Sequence, residues 1–251
     1  SAQALLGLGM AYQQLGDNHR AIGCYEQVLV ITRDMNDALG DSSVLNNLGV
    51  AHKNLGDLGK AIPYYEQALT IDRKLGHERG ESDVLGNLGV AYKNLGDANR
   101  AIVYYEQALT IQRELGDRIG EGTTVGNLGV AYKNLGDTRQ AIKYYEQALI
   151  VCREIGDPQR EASTLGNFGE AYRLLGDTHG AINLTEQALA IHREIGSRRG
   201  EETALGNLGL TYAGLDDTHR ASEFYRQALA IAREIGDISG VAGHSFHTAR
   251  L

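Results

Sequence analysis

Apolar residues recur at spacings of three and four along almost the whole chain. Between Ser82 and Leu95 the apolar set is Val84, Leu85, Leu88, Ala91, Tyr92 and Leu95, which predicts an amphipathic helix, here called helix A. Gly96 stands where a helix ends in the left-handed region, and Asp97 is placed to cap the next helix by accepting a backbone N–H. A second helix, B, is predicted from Ala98 to Leu115, carried by Ala101, Ile102, Tyr105, Ala108, Leu109 and Ile111 and stopped by Gly116. The stretch Gly116-Asp117-Arg118-Ile119-Gly120-Glu121 is expected to connect this pair to the next. Gly89 and Ala101 leave room for the two helices to cross closely, with Tyr92, Tyr105 and the leucines filling the space around them. Pro158 suits a helix start. Pro63, about six residues into a helix B, removes a hydrogen bond and predicts a local kink.

The pair repeats. The words from Leu85 to Asp97 return from Val125 to Asp137 with one change, and looser copies begin at Leu45, Leu165 and Leu205. Ala21, Ala61, Ala101, Ala141 and Ala181 hold one phase of helix B without a slip. The period is forty residues, which divides the chain into units 1–40, 41–80, 81–120, 121–160, 161–200 and 201–240, with 241–251 as a partial seventh unit or cap. The expected fold is all-α, an α-solenoid of antiparallel helix pairs forming a single array. Such an array has no central core, because each unit buries surface only against its neighbours.

Composition changes the picture in few places. The chain has 32 glycines, nearly all at fixed phases of the repeat, so they read as helix stops and close crossings, not as disorder. Cys24 and Cys152 fall at different phases and read as small apolar residues, which points to a reducing, cytoplasmic compartment. No apolar run approaches the roughly 18 residues needed to span a bilayer. The chain opens at Ser1 on a repeat boundary without an initiator Met, which suggests a piece of a longer protein.

Leu85-x2-Leu88-Gly89-x2-Tyr92 followed by Ala101-x3-Tyr105 and Ala108 resembles the tetratricopeptide repeat, across all but the last ten or so residues. The resemblance implies a right-handed superhelix. It departs from the family in length, because the usual unit is 34 residues with a proline closing helix B, and Arg113 stands where that proline would be. The forty-residue form is similar to the Leu-Gly-Asn repeats of spindle-orientation adaptors, which bind extended peptides, and to the sensor arrays of bacterial signal-transduction ATPases. The animal adaptors' Gly-Asn-Leu-Gly-Asn becomes Gly-Asn-Leu-Gly-Val here, so their ligand choice does not transfer.

The resemblance implies that helix A lines a concave surface. Independently, the spacings of Asp83, Gly86, Asn87, Val90, Lys93 and Asn94 put them on one helix face, away from most of the apolar stripe. Along the array this face predicts an asparagine row (Asn47, Asn87, Asn127, Asn167 and Asn207) and a cationic row (Lys53, Lys93, Lys133 and Arg173). Asn54, Asn94 and Asn134 form a third row, and Val90 and Val130 lie between them. Carboxamides both donate and accept, so a ladder of them can pair with the backbone of an extended peptide whatever its sequence. The cations favour an acidic one, on a chain of formal net charge -8. The asparagines are equally placed to bond between adjacent helices.

The expected function is therefore a protein-interaction scaffold that binds an extended or helical segment. The alternative is a self-associating sensor array of a larger signalling protein, stacking end to end. No catalytic, cofactor or metal site is read. Gly7-x-Gly9 and Gly86-x-x-Gly89 lie within helices with no preceding strand, Gly56-Asp57-Leu58-Gly59-Lys60 is a turn, and His244 and His247 lack further metal ligands nearby. Glu26, Glu66, Glu106, Glu146 and Glu186 repeat at one phase, unlike a catalytic acid, which is built once. The acidic balance argues against nucleic acid. Tyr64, Tyr104 and Tyr144 are expected on the convex side or against the next unit's helix.

Overall fold

A computed structural model describes residues 1–250, and among these it contains thirteen helices. They are α1 (Ala2–Gln14), α2 (Asn18–Asp34), α3 (Ala38–Asn54), α4 (Leu58–Leu75), α5 (Glu78–Asn94), α6 (Ala98–Leu115), α7 (Arg118–Leu135), α8 (Thr138–Ile155), α9 (Pro158–Leu174), α10 (Thr178–Glu194), α11 (Arg198–Ala213), α12 (Thr218–Ile235) and α13 (Ile238–Arg250). Odd-numbered helices are the A helices and even-numbered ones the B helices, and each A–B pair packs together as the pattern predicts. The chain forms two compact units, Ser1–Asn127 and Leu128–Leu251.

Helix B of the third repeat runs from Ala98 to Leu115 as expected, with Gly116 at φ +67 and Gly96 at φ +81 in the left-handed region. Asp97 caps it by accepting the N–H of Arg100 at 3.0 Å. Helix A is longer than its apolar pattern shows. It begins at Glu78 in α5 and at Arg118 in α7, so the connection between pairs is two residues and not the six from Gly116 to Glu121. The reason is local. Gly120 donates its N–H to Asp117 Oδ1 at 2.9 Å, which makes Asp117 the N-cap and Gly120 a first-turn residue. A Cβ on Gly120 would fall 2.5 Å from Asp117 Oδ2, so this glycine makes room for the cap and stops nothing. Pro158 is the first residue of α9, with Asp157 as N-cap. α4 continues from Leu58 to Leu75 with Pro63 inside it, on the exposed side.

In the first unit Tyr25, Tyr65 and Tyr105 are fully buried beside Leu45, Leu48, Leu85 and Leu88. Each ring lies over a glycine of its paired A helix, and a Cβ on Gly89 would lie 2.5 Å from Tyr105 Cδ1. The helices approach closely because one side chain at the crossing is absent. In the second unit Tyr145 and Tyr225 pack in the same way over Gly129 and Gly209. Thr185 replaces the tyrosine in α10, and Phe168 replaces the leucine of α9, with its ring 5.1 Å from that of Tyr172.

The tyrosines one position earlier, Tyr64 and Tyr104, make a contact that the sequence pattern does not anticipate. They stack on the A helix of their own pair, Tyr64 on His52 at 5.5 Å and Tyr104 on Tyr92 at 5.3 Å. In the second unit Tyr144 stacks on Tyr132 at 5.2 Å. Each ring of helix B reaches the aromatic residue on helix A, which offers a flat face for stacking. Where the family's closing proline is missing, an ion pair ties helix B to the next helix A. Arg73 binds Glu81 at 2.7 Å and Arg113 binds Glu121 at 2.9 Å in the first unit. Arg153 binds Glu161 at 2.7 Å and Arg193 binds Glu201 at 2.9 Å in the second. Among the described residues no helix is long and apolar enough to cross a membrane. Cys24 and Cys152 are buried free thiols.

Candidate functional site

The A helices of the first unit hold the predicted polar face. Asn47, Asn87 and Asn127 are half-buried, as are Lys53, Lys93 and Val90, while Asn54 and Asn94 are exposed. Two asparagines bond to other helices. Asn87 Nδ2 donates to Asn46 Oδ1 at 2.9 Å, linking α5 to α3, and Asn54 Nδ2 donates to Asn18 Oδ1 at 3.3 Å, linking α3 to α2. Asn46 is special to its repeat, because glycine occupies that phase at Gly86 and no corresponding carboxamide faces Asn127. Asn127 keeps its side-chain donors and acceptor without a protein partner among the described residues.

Lys53 and Lys93 also have no acidic partner among the described residues. Burial lowers the proton affinity of both ammonium groups, and the charge of Lys93 lowers that of Lys53 further. This pair of cations has no compensating carboxylate. Asp83, on the same face of α5, has its pKa raised by burial, partly offset by Arg79.

Between α5 and the start of α7 a cleft of about 250 Å³ opens over α6. Asp83, Gly86, Asn87 and Val90 line one side and Asn127 the other, so five residues of the predicted face share one depression. Its base carries two groups absent from the predicted set, Tyr105 and Gln112. The phenol oxygen of Tyr105 and Oε1 of Gln112 are both buried without a hydrogen-bond partner, and Gln112 is only 6% exposed. One sequence signal points to Gln112. Its phase reads Thr32, Asp72, Gln112, Cys152, His192 and Ala232, changing in every repeat while its neighbours stay alike. All six are buried, which is unusual for so variable a position.

The second unit is built alike with different charges. Asn167, Asn207, Arg173 and Val130 are half-buried and Asn134 is exposed. Lys133 forms an ion pair with Glu170, which stands where the other repeats carry an aliphatic residue. That member of the cationic row is therefore neutralised within its own unit. A cleft of about 360 Å³ is lined by Gly166, Asn167 and Asn207 with His192 at the Gln112 phase. Nδ1 of His192 has no partner, and burial lowers its pKa below 6.5 against the opposing pull of Glu201. His244 and His247 dock α13: the first pairs with Glu202, and the second stacks on Tyr225 at 5.2 Å.

A sequence model of the tetratricopeptide repeat matches residues 1–74, 41–114, 80–154, 121–194 and 160–234. No curated protein matches the sequence. Among solved structures, BtubC (BKLC) from P. vanneervenii is 23% identical with a TM-score of 0.72, over 90% of this chain and 92% of that one. A signal transduction ATPase with numerous domains and a tetratricopeptide repeat sensor, from Pyrococcus horikoshii, is 20% identical with a TM-score of 0.84; the match covers 96% of this chain and 37% of that one. Nearly identical repeats of a putative kinesin light chain from Podosopora anserina are 21% identical with a TM-score of 0.67, covering 78% of this chain and 96% of that one. At these identities the likeness extends to the fold alone.

Proposed function

The chain belongs to the tetratricopeptide repeat family, and from that premise we propose that it is a protein-interaction module whose A-helix face binds an extended segment of acidic character. The family is a non-catalytic interaction fold, and its members bind protein partners. One observation carries the proposal: Lys53 and Lys93, half-buried and uncompensated, stand on the same face as Asn87 and Asn127 in the first unit. Two desolvated like charges disfavour the free chain, and a partner's carboxylates would relieve them. The carboxamide of Asn127 would pair with the partner's backbone. A cytoplasmic setting agrees with the buried free thiols Cys24 and Cys152.

A labelled peptide of alternating Glu and Ala, followed by fluorescence anisotropy, tests the reading. It should bind the wild-type chain, weaken as salt rises, and lose about fivefold or more in affinity to the Lys53→Ala/Lys93→Ala variant, as expected for two modest ion pairs. A Lys-Ala peptide should not bind. Equal binding of both peptides, or an unchanged affinity in the variant, removes the face from the argument.

A second reading is that the chain is the sensing segment of a larger signalling protein, the role named for the Pyrococcus protein of the same fold, and that it associates with copies of itself through the end faces that a repeat array leaves uncovered. Light scattering over a concentration series separates the two, and a monomer throughout is the outcome against self-association.

A further inference from the structure

One phase of helix A carries a charge in the third repeat alone. Along the chain it reads Gln3, Ser43, Asp83, Thr123, Ser163 and Thr203, neutral everywhere except in α5. Asp83 is exposed on the wall of the cleft over α6, where a guest side chain can reach it. Among the described residues no cation lies within ion-pair distance of its carboxylate; Arg79 and His77 act on it from farther off, and Asp117 and Asp72 act in the opposite sense. The cleft walls partly desolvate it, which makes a lone negative charge there costly. Asn87 follows one turn later on the same face, and with its Nδ2 donating to Asn46 it keeps Oδ1 as an acceptor. Asn127 stands on the opposite wall. Gly86 leaves the opening clear, because a Cβ there would meet no atom within 4 Å.

Resting on the docking role proposed above, we infer that this cleft is the subsite for one basic side chain, lysine or arginine, within the otherwise acidic bound segment. An ammonium or guanidinium brings only donors, and the cleft offers acceptors in Asp83, Asn87 Oδ1 and Asn127 Oδ1. Asn127 can equally turn its amide N–H groups toward a carboxylate, so the carboxamides do not choose between signs of charge. Asp83 does, because it repels a carboxylate and gives a neutral guest no ionic attraction. Lys93 stands farther along the same helix, about 15 Å away at 1.5 Å per residue. That exceeds the screening length of about 8 Å in physiological salt, so carboxylate and ammonium act as separate recognition points. An extended strand crosses the distance in about four to five residues, which sets the spacing between the basic residue and the acid that meets Lys93. The matching cleft of the second unit lacks the device: Ser163 and Thr203 hold the phase there, and the exposed Arg199 lines the cleft instead. A basic residue is therefore selected by the first unit's cleft and disfavoured by the second's.

The probe is the alternating Glu-Ala peptide with its central residue set to Lys, Gln or Glu, titrated by anisotropy against the full chain, Asp83→Asn and Lys53→Ala/Lys93→Ala. Asp83→Asn keeps the shape of an exposed side chain, and a circular dichroism melt checks that each variant folds. Wild type should bind the Lys peptide about fivefold more tightly than the Gln peptide, and the Glu peptide least tightly. Asp83→Asn should bring all three within about twofold of one another, whereas Lys53→Ala/Lys93→Ala should weaken all three and preserve their order. One carboxylate is a small part of a net charge of -8, so general attraction of the Lys peptide to the chain cannot produce that loss. Equal binding of the three peptides by wild type, or a Lys preference that survives Asp83→Asn, overturns the subsite and leaves the docking role standing. Binding of no peptide overturns both readings.

Discussion

Gly86 and Gly89 lie one turn apart on α5, and the same substitution should move stability in opposite directions at the two sites. Alanine at either position removes glycine's backbone entropy penalty, a gain of about 0.5–1 kcal/mol. At Gly86 nothing lies within 4 Å of the added Cβ, so the gain should be realised. At Gly89 the Cβ would fall 2.5 Å from Cδ1 and 2.9 Å from Cζ of Tyr105, against an optimum carbon separation of about 3.5–4.0 Å. Tyr105 has no exposed surface, so its ring cannot swing into solvent. Helices α5 and α6 must part instead. Overpacking of this kind costs about 1–3 kcal/mol, and an overlap with three ring atoms places it near the top of that range. After the propensity gain the net loss is about 2 kcal/mol, and the two variants should differ by about 2–3 kcal/mol. Urea denaturation followed by circular dichroism measures this directly. In a Tyr105→Leu background, where the ring is gone, the penalty at Gly89 should shrink, which isolates the pairwise contact. If Gly89→Ala proves as stable as Gly86→Ala, tyrosine-over-glycine packing does not set the helix crossing.

Three further outcomes follow from the same geometry. Arg113→Leu should cost about 1 kcal/mol, because Glu121 is largely buried and would keep only Arg118 as a partner; high salt should narrow the difference, as measured by urea titration. His52 and His192 have pKa values lowered by burial, so between those values and 6.5 the unfolded chain binds more protons than the folded one. Stability should therefore fall as pH drops through that window, and His192→Gln, which installs the residue native to the third repeat, should flatten the pH dependence. Glu170→Val, which restores an apolar residue at that phase, removes the ion pair with Lys133 and should lower stability by about 1 kcal/mol or less, measured by urea denaturation; a larger loss at high salt than at low salt would exclude the ion pair as the cause.

Sequence alone determined what is local or periodic. The helix pairs, their stops at Gly96 and Gly116, the caps such as Asp97 and the burial of Tyr105 over Gly89 all follow from residues close together in the chain or one helix apart, and the forty-residue copy repeats each signal. The first turn of helix A escaped that logic, because Arg118 to Glu121 has no apolar period and is held by the Asp117 cap and the Arg113–Glu121 pair. The polar face was legible as a stripe, but its state was not. Only tertiary packing decided that Asn87 bonds to Asn46, that Lys133 is neutralised by Glu170 while Lys53 and Lys93 are not, and that residues of α5, α6 and α7 line one cleft. The reason is physical. Periodicity tells which side of a helix avoids water, whereas pairing of a polar group depends on atoms brought close by a neighbouring helix, and in near-identical repeats those neighbours differ at only a few positions.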